Sequence, residues 1–240
     1  MAVAFTELDR GYNSTDATSY ATNSISPAAN SHLWLLYYIR HSAGGPGVTP
    51  PSAYGGTWTE LGGGEQTDGT SSDIGAWELQ CSASPGTAGM TVPVDAATLA
   101  IGFGWSIIQA TGHDPSGTTL NFVYGAIGTT STTATCTLAA ASDPNNGEVF
   151  FTGIRVNSAI TPEAGFTGGT GAGGTAPTNQ NRAQWKVGSF DTTPSSTFAS
   201  ARWQCFGFEV KVLGVAGPTP VGFIPLIRRN NLGRMTGRTP

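Results

Sequence analysis

Along this chain, apolar and aromatic residues recur in short runs, mostly with a period of two, broken by Gly, Pro, Asn and Ser. Residues 2–8 (AVAFTEL) read as a first strand. Residues 33–40 (LWLLYYIR) are a near-continuous apolar run, the pattern of a strand buried on both faces. Alternation returns at 57–61 around Trp58 and at 74–81 around Trp77. A short strand covers 91–94. The run 99–110 (LAIGFGWSIIQA) sets Phe103, Trp105 and Ile107 on one face and Gly102 and Gly104 on the other, where a neighbouring layer can come close. Further strands are predicted near 120–127, 133–139, 148–156, 183–190 and 202–212, the last with Phe206, Phe208 and Val210 on one face. Loops are expected at 41–56, 62–73 and 165–179. Helical periodicity is scarce, and turns near 26–31 and 95–98 are the only helix candidates.

About ten short strands with turn chemistry between them predict an all-β fold, a two-sheet jelly-roll-like sandwich over residues 1–213. The six tryptophans fall in or beside these strands, as a core between two sheets requires. The pattern stops at residue 213. Residues 214–240 carry Pro or Gly every few positions, no acid, and four arginines, Arg228, Arg229, Arg234 and Arg238. Val221, Phe223, Ile224, Leu226 and Ile227 precede them. Apolar side chains on an extended arm are a liability in water. The expectation is an extended basic arm that docks on a neighbour, by adding a strand to its sheet or pairing arginines with its carboxylates. Phe223, Ile224, Leu226, Arg228, Arg229, Arg234 and Arg238 are the expected partner-binding residues.

Charge sharpens the contrast. Only 11% of residues are charged, against about 25% in ordinary domains. The body holds 7 basic and 15 acidic residues, so it lacks the basic face that phosphate neutralisation needs. Nucleic acid is not the expected partner. A surface of Thr, Ser, Asn and Gly suits protein packing, with glycan contact as an alternative. Cys81, Cys136 and Cys205 are odd in number and widely spaced, the mark of small buried hydrophobes rather than a disulfide or zinc framework. The N-terminus MAVAFTELDR has no apolar signal region, and no run approaches a membrane span.

Candidate chemistry is thin. His32 and His41 bracket the aromatic strand, about 30 Å apart at full extension, and form no metal pair. His113 and Asp114 stand side by side in GHDPSG, where the aspartate caps its own turn. Glu60, Glu65, Asp68, Asp73 and Glu78 could supply a glycosidase pair, with Glu78 raised by Trp77, but the Gly-rich loop 62–73 is too flexible for fixed spacing. The stretch from Glu65 to Asp73, and Asp143, Asn145 and Asn146, offer calcium ligands without an EF-hand pattern. The glycines at 165–175 lack the Lys-Ser/Thr of a phosphate loop. No enzyme activity, cofactor or metal is expected.

The segments SPAANSHLWLLYYIRHS, GGTWTELGGGEQTDGTSSDIGAWELQC, FGWSIIQATGHDPSG and FGFEVKV together resemble jelly-roll virion structural proteins of tailed bacteriophages, over roughly residues 3–213. The resemblance implies a part of the virion, in a head, decoration or tail role. The expectation is a non-enzymatic auxiliary capsid or decoration protein, made in the host cytoplasm without a signal peptide. Its expected partners are its own copies and other virion proteins such as the major capsid protein, with no membrane. The alternatives are a tail or baseplate component, or a carbohydrate-binding module using Tyr54, Trp58 or Trp77 as stacking platforms.

Overall fold

The computed structural model describes residues 2–42, 45, 47–69, 71–94 and 100–214. Its first eight strands are β1 (Ala4–Asn13), β2 (Ser19–Ala21), β3 (His32–His41), β4 (Thr59–Glu60), β5 (Gln66–Thr67), β6 (Ser72–Gln80), β7 (Thr91–Pro93) and β8 (Ala100–Thr111). Then come β9 (Thr119–Tyr124), β10 (Gly128–Thr135), β11 (Gly147–Ile154), β12 (Thr161–Pro162), β13 (Thr167–Gly168), β14 (Ala172–Thr175), β15 (Thr178–Val187) and β16 (Ser195–Val210). The first large sheet runs β1-β8-β3-β6-β4, with β5 also on β6. The second runs β10-β16-β11-β15-β13, with β9 and β12 also on β16 and β14 on β15. All these pairings are antiparallel. The protein is all-β, with two large sheets in a sandwich-like arrangement and a small β2–β7 ribbon.

The patterning explains why three apolar layers form rather than one. In β3, even positions Trp34, Leu36 and Tyr38 meet Val149, Phe151, Phe206 and Phe208 of the second sheet. Odd positions Leu33, Leu35, Tyr37 and Ile39 face outward, where Tyr20, Val48, Tyr54, Trp58, Met90 and Val92 cover them. In the second sheet the outward positions Phe150, Ile154, Trp203 and Cys205 lie under Cys136, Leu138, Ile160 and Phe198. A strand between two dry layers reads as a continuous apolar run, as 33–40 does. The tryptophans accordingly divide. Trp34 lies between the sheets, Trp77 and Trp105 beneath the outer cover that Trp58 helps to form, and Trp203 in the third layer.

Gly102 and Gly104 do admit a close neighbour. A methyl at Gly104 would collide with Asn181 Nδ2, and one at Gly102 would lie 2.6 Å from the Tyr12 hydroxyl.

Two expectations change. The segment 165–179 is not a free loop, because β13 and β14 pair with β15 and the backbone is tied to β1. Thr170 N donates to Glu7 Oε2 at 2.8 Å, and the Tyr12 hydroxyl donates to Pro177 O at 3.0 Å. Residues 26–31 form a turn, not a helix, with Ser31 N donating to Ala28 O at 3.2 Å. The second helix candidate, 95–98, lies outside the described residues.

Candidate functional site

The expected partner-binding residues Phe223, Ile224, Leu226, Arg228, Arg229, Arg234 and Arg238 lie outside the described residues, as does the arm beyond Gly214. What the structure adds is the character of the body. Among the described residues the large hydrophobics that stand exposed are Ile127, Val187 and Leu213. Tyr54, Trp58 and Trp77 are buried, so none of them is a platform for a sugar ring. Tyr54 and Trp58 help to cover the outer face of the first sheet, and Trp77 of β6 lies on that face beneath them.

Many of the acidic residues are engaged within the body. Among the described ones Asp9, Asp73, Glu148 and Glu209 are buried and only Asp16 stands exposed. Asp9 accepts from Trp105 Nε1 at 2.8 Å and from Asn23 Nδ2 at 2.8 Å. Asp68 anchors the turn before β6 by accepting from Ser71 N at 2.7 Å and Ser72 N at 3.0 Å. Arg155 Nη1 lies 3.3 Å, and Arg202 Nη1 3.8 Å, from its other oxygen. Glu209, fully buried, accepts from Ser142 N at 2.8 Å, Ser142 Oγ at 2.9 Å, Asn121 Nδ2 at 2.5 Å, and Asn146 Nδ2. Asn146 is thereby spent on the core rather than on a cation. Asp143 caps its own turn through Asn145 N at 2.8 Å.

The candidate carboxylates fall into two places. Register puts Asp73 opposite Thr67 and Glu60 opposite Trp77, so Glu60 and Asp73 share the outer face of β6. Glu65 belongs with them. Burial, then the charges of Asp73 and Glu60, push its carboxyl up to about 8, against the opposing pull of the Tyr37 hydroxyl 3.5 Å away. His41 Nε2 lies 3.2 Å from Asp73 Oδ2, both side chains buried. The described residues of 62–73 are therefore anchored rather than loose, by β5 and by Asp68.

Glu78 is elsewhere. Adjacent strand residues point to opposite faces, so Glu78 turns away from Trp77 and into the end of the inter-sheet layer. Burial pushes its carboxyl up, but hydrogen bonds from His32, Thr119 and Trp34 outweigh it and hold the carboxyl below its usual value. The expected upward shift is reversed.

Around Glu78 the structure builds a polar chain that sequence spacing does not show. Trp34 Nε1 donates to Thr119 Oγ1 at 2.9 Å, and Thr119 Oγ1 donates to Glu78 Oε2 at 2.5 Å. His32 Nε2 lies 3.1 Å from the same oxygen. His32 Nδ1 and His113 Nε2 both meet Gln80 Oε1, at 3.3 and 2.8 Å. Gln80 Nε2 donates to Asn30 O at 2.9 Å, which fixes its amide so that Oε1 faces both rings. The two imidazole centroids are 5.5 Å apart, although 81 positions separate them in the chain. Register is what joins them, since His32 pairs with both Gln80 and Ala110. Asp114, next to His113, does cap its turn, accepting from Ser116 N at 2.9 Å and Ser116 Oγ at 2.7 Å. Lys211 Nζ is 2.7 Å from its other oxygen. The Lys211 and Ser116 hydrogen bonds hold that carboxyl well below the usual range.

Among the described residues no three His, Cys, Asp or Glu side chains form a group able to hold a metal ion. Cys81, Cys136 and Cys205 are buried free thiols, and burial pushes all three up. Comparison with protein-family models, with curated proteins and with solved structures finds no match to the chain.

Proposed function

We propose that the chain is a non-enzymatic structural component of a bacteriophage virion, an auxiliary capsid or decoration protein that oligomerises and docks on neighbours through residues 214–240. One observation carries the reading. The described body buries most of its large hydrophobics and engages several of its acids in internal hydrogen bonds, while the sequence after Leu213 holds four arginines, no acid and a run of apolar residues. That the described body exposes few large hydrophobics while the arm carries several favours the arm as the adhesive part. The sandwich-like body is consistent with the jelly-roll class named by the resemblance, and that finer assignment is part of the proposal. Many weak contacts repeated over a shell suffice for such a role, because avidity multiplies them.

The test compares the full chain with one ending at Gly214 by light scattering and small-angle scattering. That truncation keeps the Leu213 N to Gly112 O bond, so the last strand contacts survive. A defined oligomer for the full chain and a folded monomer for the truncation is expected. Identical monomers would overturn the arm as a self-assembly element.

A further inference from the structure

We propose that the apolar run of the arm, residues 221–227, seats on the body of its own chain, in the groove between the start of β1 and the end of β15. The arginines that follow the run stay free for a neighbour. This goes beyond the neighbour-docking reading, which does not need the run to be seated there.

The groove measures about 730 Å³, and its lining includes Phe5, Thr167, Trp185, Lys186, Val187 and Ser189. It lies where the layer between the two large sheets is left open. Phe5 and Trp185 pack against that layer yet are only partly buried. Trp185 and Val187 stand two positions apart on β15 and share a face. A methyl at Gly147, the β11 partner of Val187, would lie 2.6 Å from the Phe5 ring, which places that ring beside them. Val187 is 45% exposed. Among the described residues β1 is the edge of its sheet here, and β13 reaches β15 only at Gln184 and Trp185.

The arm starts at this same end of the sandwich. Leu213 N donates to Gly112 O at 3.0 Å, next to Thr111, the β8 partner of Ala4. Val210, Gly147 and Val187 stand in register on three adjacent strands, so Val210 and Val187 are about 10 Å apart. The four steps on to Gly214 add at most about 14 Å. Asn146 keeps the gap inside that limit, accepting from Val212 N at 2.9 Å on its side chain and from Gly188 N at 3.3 Å on its backbone. The seven steps from Gly214 to Val221 span about 23–25 Å when extended, enough to bring the run to its own groove. The chemistry agrees. Val221, Phe223, Ile224, Leu226 and Ile227 are a liability in water. Of the three exposed large hydrophobics among the described residues, Val187 and Leu213 both stand at this end. The lining holds a cation, Lys186, and no acid, so it suits the run and not the arginines beyond it.

The experiment introduces Val187→Cys and Phe223→Cys together in the full chain and follows disulfide formation by mass spectrometry under mild oxidation. Cys81, Cys136 and Cys205 are buried and do not compete. A bond within one chain is expected, at a rate unchanged by tenfold dilution. Adding Ile224→Asp and Leu226→Asp should slow it at least tenfold, because a tether that merely passes the groove keeps its reach while a seated run loses its contacts. These aspartates lie in the arm and Val187 is exposed, so the fold of the body is spared. Changing Arg228, Arg229, Arg234 and Arg238 to glutamine should leave the rate unchanged, whatever it does to an oligomer, which separates this inference from the neighbour-docking reading. No bond, a rate that rises with protein concentration, or a rate indifferent to the two aspartates would overturn the proposal.

Discussion

Replacing Glu209 by alanine is expected to be among the most damaging single changes in the body. The carboxylate is 0% exposed and receives hydrogen bonds from Asn121, from both Ser142 groups and from Asn146. Alanine leaves four donors facing a void. Each buried donor without a partner costs about 1–3 kcal/mol, and rearrangement or entering water recovers part of that. A net loss of about 4 kcal/mol follows, within the range for breaking one side of a buried polar set. At about 2–4 °C per kcal/mol for a domain of this size, Tm should fall by about 8–16 °C. Glu148 is the internal control, because it sits directly opposite Glu209 across β11 and β16. It receives one backbone donor, Asp191 N at 2.9 Å, and burial pushes its carboxyl up to about 7. Glu148→Gln should therefore cost less than about 1 kcal/mol at pH 7, since glutamine mimics the protonated acid already half present. The assay is urea unfolding followed by tryptophan fluorescence, with calorimetry for Tm. A shift of less than about 3 °C for Glu209→Ala, or an equal loss in Glu148→Gln, would refute the reasoning.

Three more expectations follow from the geometry. The Glu65 carboxyl is raised to about 8 in the folded protein, so the fold binds that proton more tightly than the unfolded chain. Its contribution is complete below about pH 4.5 and is lost as pH rises toward 8. Discounted for partial solvent access, it amounts to about 2 kcal/mol that Glu65→Gln should render independent of pH in unfolding curves between pH 5 and 9. Gly104→Ala should lower stability by about 1–3 kcal/mol in denaturant titrations, because the new methyl meets Asn181. Changing Arg228, Arg229, Arg234 and Arg238 together to glutamate should abolish any arm-dependent oligomer in sedimentation runs while leaving the Tm of the body within about 2 °C.

The strands with one buried and one covered face were legible because period-two alternation and apolar runs report burial directly. Ala100–Thr111 and Gly147–Ile154 lie within two residues of the predicted spans at each end. The short strands Gln66–Thr67, Thr161–Pro162, Thr167–Gly168 and Ala172–Thr175 were not legible, because glycine and threonine carry no burial signal and only tertiary pairing orders them. The third apolar layer was hidden for a related reason. Cys136 and Leu138 alternate in a predicted strand and Ile160 stands apart, but only the fold shows that they converge on Phe150. The Glu78 environment failed on a local rule, since sequence neighbours in a strand do not share a face. The His32–His113 chain needed two long-range pairings to be known before its members could meet. A weak signal existed in Gln80, a polar residue at the end of an otherwise apolar alternation.

Strand β16 imposes an order on synthesis. Its sixteen residues pair with β9, β10, β11 and β12, so it is the shared partner of four of the seven other strands in the second sheet. It is also the last of the described strands to leave the ribosome. Until then β11, buried at every position in the finished fold, has one open edge where β16 will pair. Nascent chains ending before Ser195 must therefore hold a half-built sheet, and completion waits until Val210 has emerged. Such late, non-local closure is slow and exposes aggregation-prone edges. Yield in the cell should then depend on translation speed and chaperone supply more than on the equilibrium stability of the finished body.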